Sequence, residues 1–131
     1  MFKKNFPKGT YYIGDPCYVV DDEHWAQLLD DTDYFRNEDQ SYKGHQILAG
    51  DTAYGDGTYI DNFRREYGVD AGLIGILPIE AVDNKYGNIE ELGSIVEFED
   101  DFVVEIDNGA FKFGNIVINT SDEDDDYYIV E

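Results

Sequence analysis

Polar and apolar residues alternate most clearly near the C-terminal third of the chain. Val96, Phe98, Phe102, Val104 and Ile106 are interleaved there with Glu97, Glu99, Asp101 and Glu105. A period of two marks strands with one face in a core, and the break at Asp100-Asp101 predicts two strands meeting at a turn. Asn108-Gly109 follows. This pair suits a two-residue type I′ turn, because both central residues must take positive φ, so strands are predicted over residues 110–113 and 115–119. Upstream, residues 10–13 and 17–20 read as short strands around a Gly14-Asp15-Pro16 turn. Residues 45–49 read as another strand, and the unbroken apolar run at 73–77 as a buried one. Gly55-Asp56-Gly57, set between Thr-Ala-Tyr and Thr-Tyr-Ile, predicts a hairpin with a glycine turn. Residues 33–44 read as irregular, 83–94 as a loop or brief helical turn, 122–126 as a charged loop, and 127–130 as a returning strand.

One segment has helical spacing. Trp25, Leu28, Leu29 and Thr32 fall at i, i+3, i+4 and i+7, preceded by Asp21, Asp22 and Glu23, acids that favour a helix N-terminus. Asp30, Asp31 and Asp33 oppose the dipole at the other end, so the helix is predicted to stop near residue 31. Seven or eight short strands with one helix define a mainly β chain, α+β with one short helix. The expected architecture is an antiparallel sheet curled into a small barrel or sandwich. At 131 residues the length fits a single domain spanning 1–131.

Composition narrows the functions. Thirty acidic side chains face nine basic ones, a net charge of −21, while 15% aromatic content argues for a folded core. Such a chain repels phosphate, which disfavours direct binding to nucleic acid or anionic lipid. The charge is uneven: −5 over residues 1–40, −3 over 41–85 and −13 over 86–131. One cysteine, Cys17, excludes an internal disulfide. The basic start lacks a following apolar region, and no run approaches the length of a membrane span. The expected location is the cytoplasm, with no membrane partner.

Catalytic and metal chemistry find weak footing. Cys17 is surrounded in sequence by Asp15, Asp21, Asp22 and Glu23, which oppose a thiolate, and no serine sits in a Gly-x-Ser-x-Gly turn. Asp51, Asp56 and Asp61 lack the alternate oxygen ligands of an EF-hand, with Ala53 and Gly55 in the way. One cysteine and two histidines make a poor zinc set. No cofactor, no metal and no catalytic residue is expected, and oligomeric state is left open.

The acidic third points elsewhere. On a strand, alternate residues lie about 6.7 Å apart on one face, close to the spacing of successive phosphates. Glu97, Glu99, Asp101, Glu105 and Asp107, with Asp122, Glu123, Asp124, Asp125 and Asp126 following, are therefore the candidate partner-binding residues. They would meet a basic protein surface such as a nucleic-acid-binding cleft. The plain alternative is the wet face of a half-buried sheet.

Three blocks carry a resemblance: Tyr12-Ile-Gly-Asp-Pro-Cys-Tyr18, Gly55-Asp-Gly-Thr-Tyr59 and Val69-Asp-Ala-Gly-Leu-Ile-Gly75. The chain resembles small uncharacterised bacterial and bacteriophage proteins bearing Gly-Asp-Pro-Cys-Tyr and Val-Asp-small-Gly-Leu-Ile-Gly, over roughly residues 10–80. The resemblance implies a phage or prophage setting. Small acidic proteins often block host-defence or nucleic-acid enzymes there, and the partner would be a host factor in the host cytoplasm. The same blocks define an alternative site for a nucleotide-like ligand or a small hydrolase, at Asp15, Asp56, Tyr59, Arg64 and Asp70. The preferred reading of their glycines and aspartates is that they simply fix turns.

Overall fold

The structure, a computed structural model, describes residues 1–121. Its strands in chain order are β1 (Phe2–Phe6), β2 (Gly9–Gly14), β3 (Gln40–Tyr42), β4 (His45–Asp51), β5 (Gly57–Ile60), β6 (Glu66–Val69), β7 (Leu73–Pro78), β8 (Gly93–Phe98), β9 (Phe102–Asp107), β10 (Ala110–Phe113) and β11 (Ile116–Asn119). The one α-helix among the described residues, α1, spans Asp22–Asp31. With 46% strand and 16% helical residues, the mainly β, α+β reading holds. The sheets are antiparallel and sandwich-like, with no closed barrel among the described residues.

Leu73–Pro78 explains the layering. It carries no side chain that needs water, and only a strand covered on both faces can bury all of it. β7 accordingly lies in the middle of a five-stranded sheet ordered β3-β4-β7-β2-β8. One face of that sheet meets a four-stranded sheet, β1-β9-β10-β11, and the β5-β6 hairpin. Ile13, Leu48, Ile74 and Ile76 pack there with Val104, Ile106, Phe111, Phe113 and Tyr67. The other face is covered by α1 and its flanking loops through Tyr12, Ile47, Leu77, Leu28 and Phe35. Each large buried aliphatic contributes about 1.5–3 kcal/mol of transfer free energy. Close strand approach matters as much. A Cβ on Gly93 would stand 2.3 Å from the Ile13 carbonyl and 2.8 Å from the Tyr12 ring, so only glycine lets β8 lie against β2.

The helix, β7, the strands β8 and β9, and the Asn108-Gly109 turn appear where the pattern put them, although β8 and β9 join different sheets, with Asn108 at φ 50° and Gly109 at 86°. Four readings need correction. Residues 16–18 form a 3-10 turn rather than a strand, because Asp15 caps it and Pro16 opens it. The hairpin turn near residue 56 is displaced: β5 pairs with β6, so the chain reverses at residues 61–65 instead. β1 and β3 were hidden by their lysines and polar neighbours. Among the described residues the strand count rises from the expected seven or eight to eleven. The predicted strand over residues 127–130 lies outside the described residues.

Candidate functional site

Glycine and aspartate in the three sequence blocks converge on one loop cluster, and the chemistry there is closed. The Asp15 carboxylate is wholly buried. One oxygen accepts the Cys17 amide at 2.9 Å, and the other accepts the Asp70 and Ala71 amides at 2.9 and 2.7 Å. Its backbone carbonyl accepts the Tyr12 hydroxyl. Nearby, Thr52 and Tyr59 both donate their hydroxyls to the Gly55 carbonyl, at 2.7 and 2.8 Å. The Thr52 amide donates to the Gly72 carbonyl at 2.9 Å. Asp15 thus ties the first block to the third through backbone amides, while Asp56 and the Asp70 residue itself are exposed. Arg64 does not join them. The β5-β6 register sets Gly57 beside Val69 and Ile60 beside Glu66, so Arg64 lies in the turn about 10 Å along the hairpin. Burial, then the charge of Asp15, pushes the Cys17 thiol up to about 12, leaving it protonated at neutral pH.

Two further carboxylates are closed in the same way: Asp61, which the sequence offers only within a failed EF-hand spacing, and Asp83, which it does not single out. Asp61 accepts the Phe63 and Arg65 amides at 2.7 and 3.0 Å, the Arg65 Nε at 2.9 Å and the Tyr67 hydroxyl at 2.6 Å. Burial works to raise its pKa, but these donors and the guanidinium outweigh it and hold the carboxyl below its ordinary range. Asp83 accepts the Tyr42 hydroxyl at 2.5 Å, the Asp21 amide at 2.9 Å and the Lys43 ammonium. There too burial is overcome, by Lys43 first and Tyr42 next, so the pKa falls. Lys43 and Gly44, at φ 54° and 79°, make the β3-β4 turn that delivers the ammonium. A Lys-Gly pair between polar residues is the signal that marks this turn in retrospect.

Asp21, His24 and Asp83 each place one donor atom within 4.8 Å of the others, the one such metal-type grouping among the described residues. Any cation there competes with the Lys43 ammonium already seated on Asp83. Beside it opens a cavity of about 400 Å³ lined by His24, Gln27, Leu28, Asp31, Ser41, Tyr42 and Lys43.

The candidate acids of the C-terminal third are divided by the fold. Glu97 and Glu99 lie on and just after β8, at the edge of the five-stranded sheet, whereas Glu105 and Asp107 lie on β9, inside the other sheet. Glu105 stands directly across from Lys3 on β1 and from Lys112 on β10, so its face is charge-balanced. Asp101 accepts the Lys8 amide at 2.9 Å. Asp122, Glu123, Asp124, Asp125 and Asp126 lie outside the described residues.

Around β8 the acids are not balanced. Two adjoining depressions run along it. One of about 580 Å³ is lined by Arg65, Glu66, Glu90, Gly93, Ser94 and Ile95. The other, of about 420 Å³, is lined by Phe63, Arg65, Val96, Glu97, Phe98, Asn115 and Ile116. Arg65, shared by both, is the only cation in either lining and already holds Asp61. Glu66, Glu90 and Glu97 are exposed, and Phe63 leaves 52% of its surface open to solvent. Apolar side chains line mainly the second depression, and exposed acids stand in both linings.

No family model matches the chain, and neither the curated proteins nor the solved structures give a match. The resemblance of the three blocks therefore stands on their sequence alone. No helix among the described residues is long and apolar enough to cross a membrane.

Proposed function

We propose that this chain is a non-enzymatic acidic binding protein that docks onto a basic surface of a partner protein. The observation that carries the reading is the use of its carboxylates. Asp15, Asp61 and Asp83 are consumed by donors of the fold, while Glu66, Glu90 and Glu97 stand exposed along a groove whose one cation is already engaged. Exposed like charges focus an attractive field for a cationic partner and speed its encounter. Direct nucleic-acid binding runs against the same field. The block resemblance adds a bacteriophage setting, in which the partner is a host nucleic-acid-binding or defence protein in the host cytoplasm.

The test is capture from a bacterial lysate at low and at high salt, using the wild type and the Glu66/Glu90/Glu97→Lys triple variant. A partner held by the wild type at low salt, released at high salt and ignored by the folded variant supports the reading. Equal capture by both proteins overturns it. A second reading, a small-ligand binder, moves away from the closed Gly/Asp blocks to the cavity beneath α1. Native mass spectrometry of the purified chain tests it, through a small molecule retained by the wild type and lost in Lys43→Ala.

A further inference from the structure

We infer that β8 is a docking edge for an extended basic segment of a partner, which adds as a sixth strand to the five-stranded sheet; this rests on the acidic-docking reading above and specifies how it works. β8 pairs with β2 along Gly93–Phe98 and has no strand on its other side among the described residues. An edge strand presents a row of backbone donors and acceptors that template another chain.

The other long edges of the molecule are treated differently. On β11, Asn62 accepts the Val117 amide at 2.8 Å and donates its own amide to the Val117 carbonyl at 3.0 Å. Its side chain also donates to the Asn115 carbonyl at 3.0 Å. On β1, Glu38 accepts the Lys3 amide and Gln46 donates to the Asn5 carbonyl. β3 is only three residues long. β5 and β6, four residues each, pair only with each other. β8, with six residues, is the longest edge strand whose backbone no side chain caps among the described residues.

Its surroundings define the occupant. In an added strand, alternate side chains point to opposite faces. Those facing the second depression meet Phe63, Val96, Phe98 and Ile116, which ask for apolar groups. The exposed Glu66, Glu90 and Glu97 ask for lysine or arginine. A second copy of this chain is a poor occupant, because pairing β8 with β8 brings Glu97 and its acidic neighbours together from both copies, and like charges across strands are destabilising. The fitting ligand is a segment in which basic and apolar residues alternate, bound by strand addition.

The probe is a capped eight-residue peptide alternating lysine and valine, titrated by fluorescence anisotropy against the full chain. Two companion peptides carry backbone N-methyl groups at the lysines or at the valines, which removes one edge of amide donors while keeping every side chain. The expected result is binding of the parent, at least tenfold weaker binding of one methylated peptide, and near-parent binding of the other. Amide hydrogen exchange within Gly93–Phe98 slows when the parent binds, and Glu66/Glu90/Glu97→Lys loses the parent. Equal binding of all three peptides, with loss in the charge variant, overturns strand addition while leaving acidic docking intact. No binding of the parent at low salt also overturns strand addition, and the lysate capture then judges the docking reading separately.

Discussion

Asp15 and Glu97 sit on strands or turns of the same sheet region, separated by β2, yet they do opposite things with the same functional group. Asp15 is buried and accepts three backbone amides, so its charge is spent inside the fold. Glu97 is exposed on an open edge, with no ion-pair partner among the described residues. The difference teaches where a strongly acidic chain keeps its function. Buried carboxylates need donors, and Asp15 has spent its charge on backbone amides, whereas the unbalanced surface acids remain open to a partner.

The largest expected effect comes from breaking the buried side of that comparison. Asp15→Ala orphans the Cys17, Asp70 and Ala71 amides at once, and chemical denaturation is expected to show a loss of about 3–5 kcal/mol. A loss under 1 kcal/mol would mean that the loop cluster is not held by this carboxylate. Next is acidity. Asp61 and Asp83 have folded pKa values below their ordinary ones. Their contribution is therefore full above the unfolded value, about 3.9, and is lost as pH falls below it. Asp61→Asn should be less stable at pH 7 and show a shallower fall in midpoint between pH 5 and 2 than the wild type. Parallel curves would contradict this.

Lys43→Ala sharpens the same point from the other partner. It leaves Asp83 with Tyr42 and the Asp21 amide but no cation, and is expected to cost about 1–3 kcal/mol and shift the acid transition to higher pH. The smallest effect belongs to the open side. Glu66, Glu90 and Glu97 changed singly to Gln should each alter stability by no more than about 0.5 kcal/mol, while weakening capture of a basic partner in a salt-dependent way.

Elements with local signals were legible in the sequence: the Trp25-Leu28-Leu29 stripe, the apolar run of β7, the alternation of β8 and β9, and Asn108-Gly109. What was not legible is long-range. Lys3 and Lys4 read as a basic start because nothing local announces that β9 pairs with them a hundred residues later. Asp83 reads as one loop acid among many until the fold brings Tyr42 and Lys43 to it across 41 and 40 residues. The same limit applied to the acidic row. Alternation placed its members on strands, but only topology divides Glu97 from Glu105 and sets Lys3 and Lys112 beside the latter. The Gly/Asp blocks were readable as turn makers, and Asp15 shows how a turn aspartate ties two distant loops.

One paired measurement bears most directly on the claim that the acids along β8 are the working surface. The Glu66/Glu90/Glu97→Lys variant is unfolded in urea beside the wild type, and both are then used to capture the partner isolated at low salt. Unfolding midpoints are expected nearly to coincide, and capture to disappear in the variant. A folded variant that captures the partner as well as the wild type would contradict that claim.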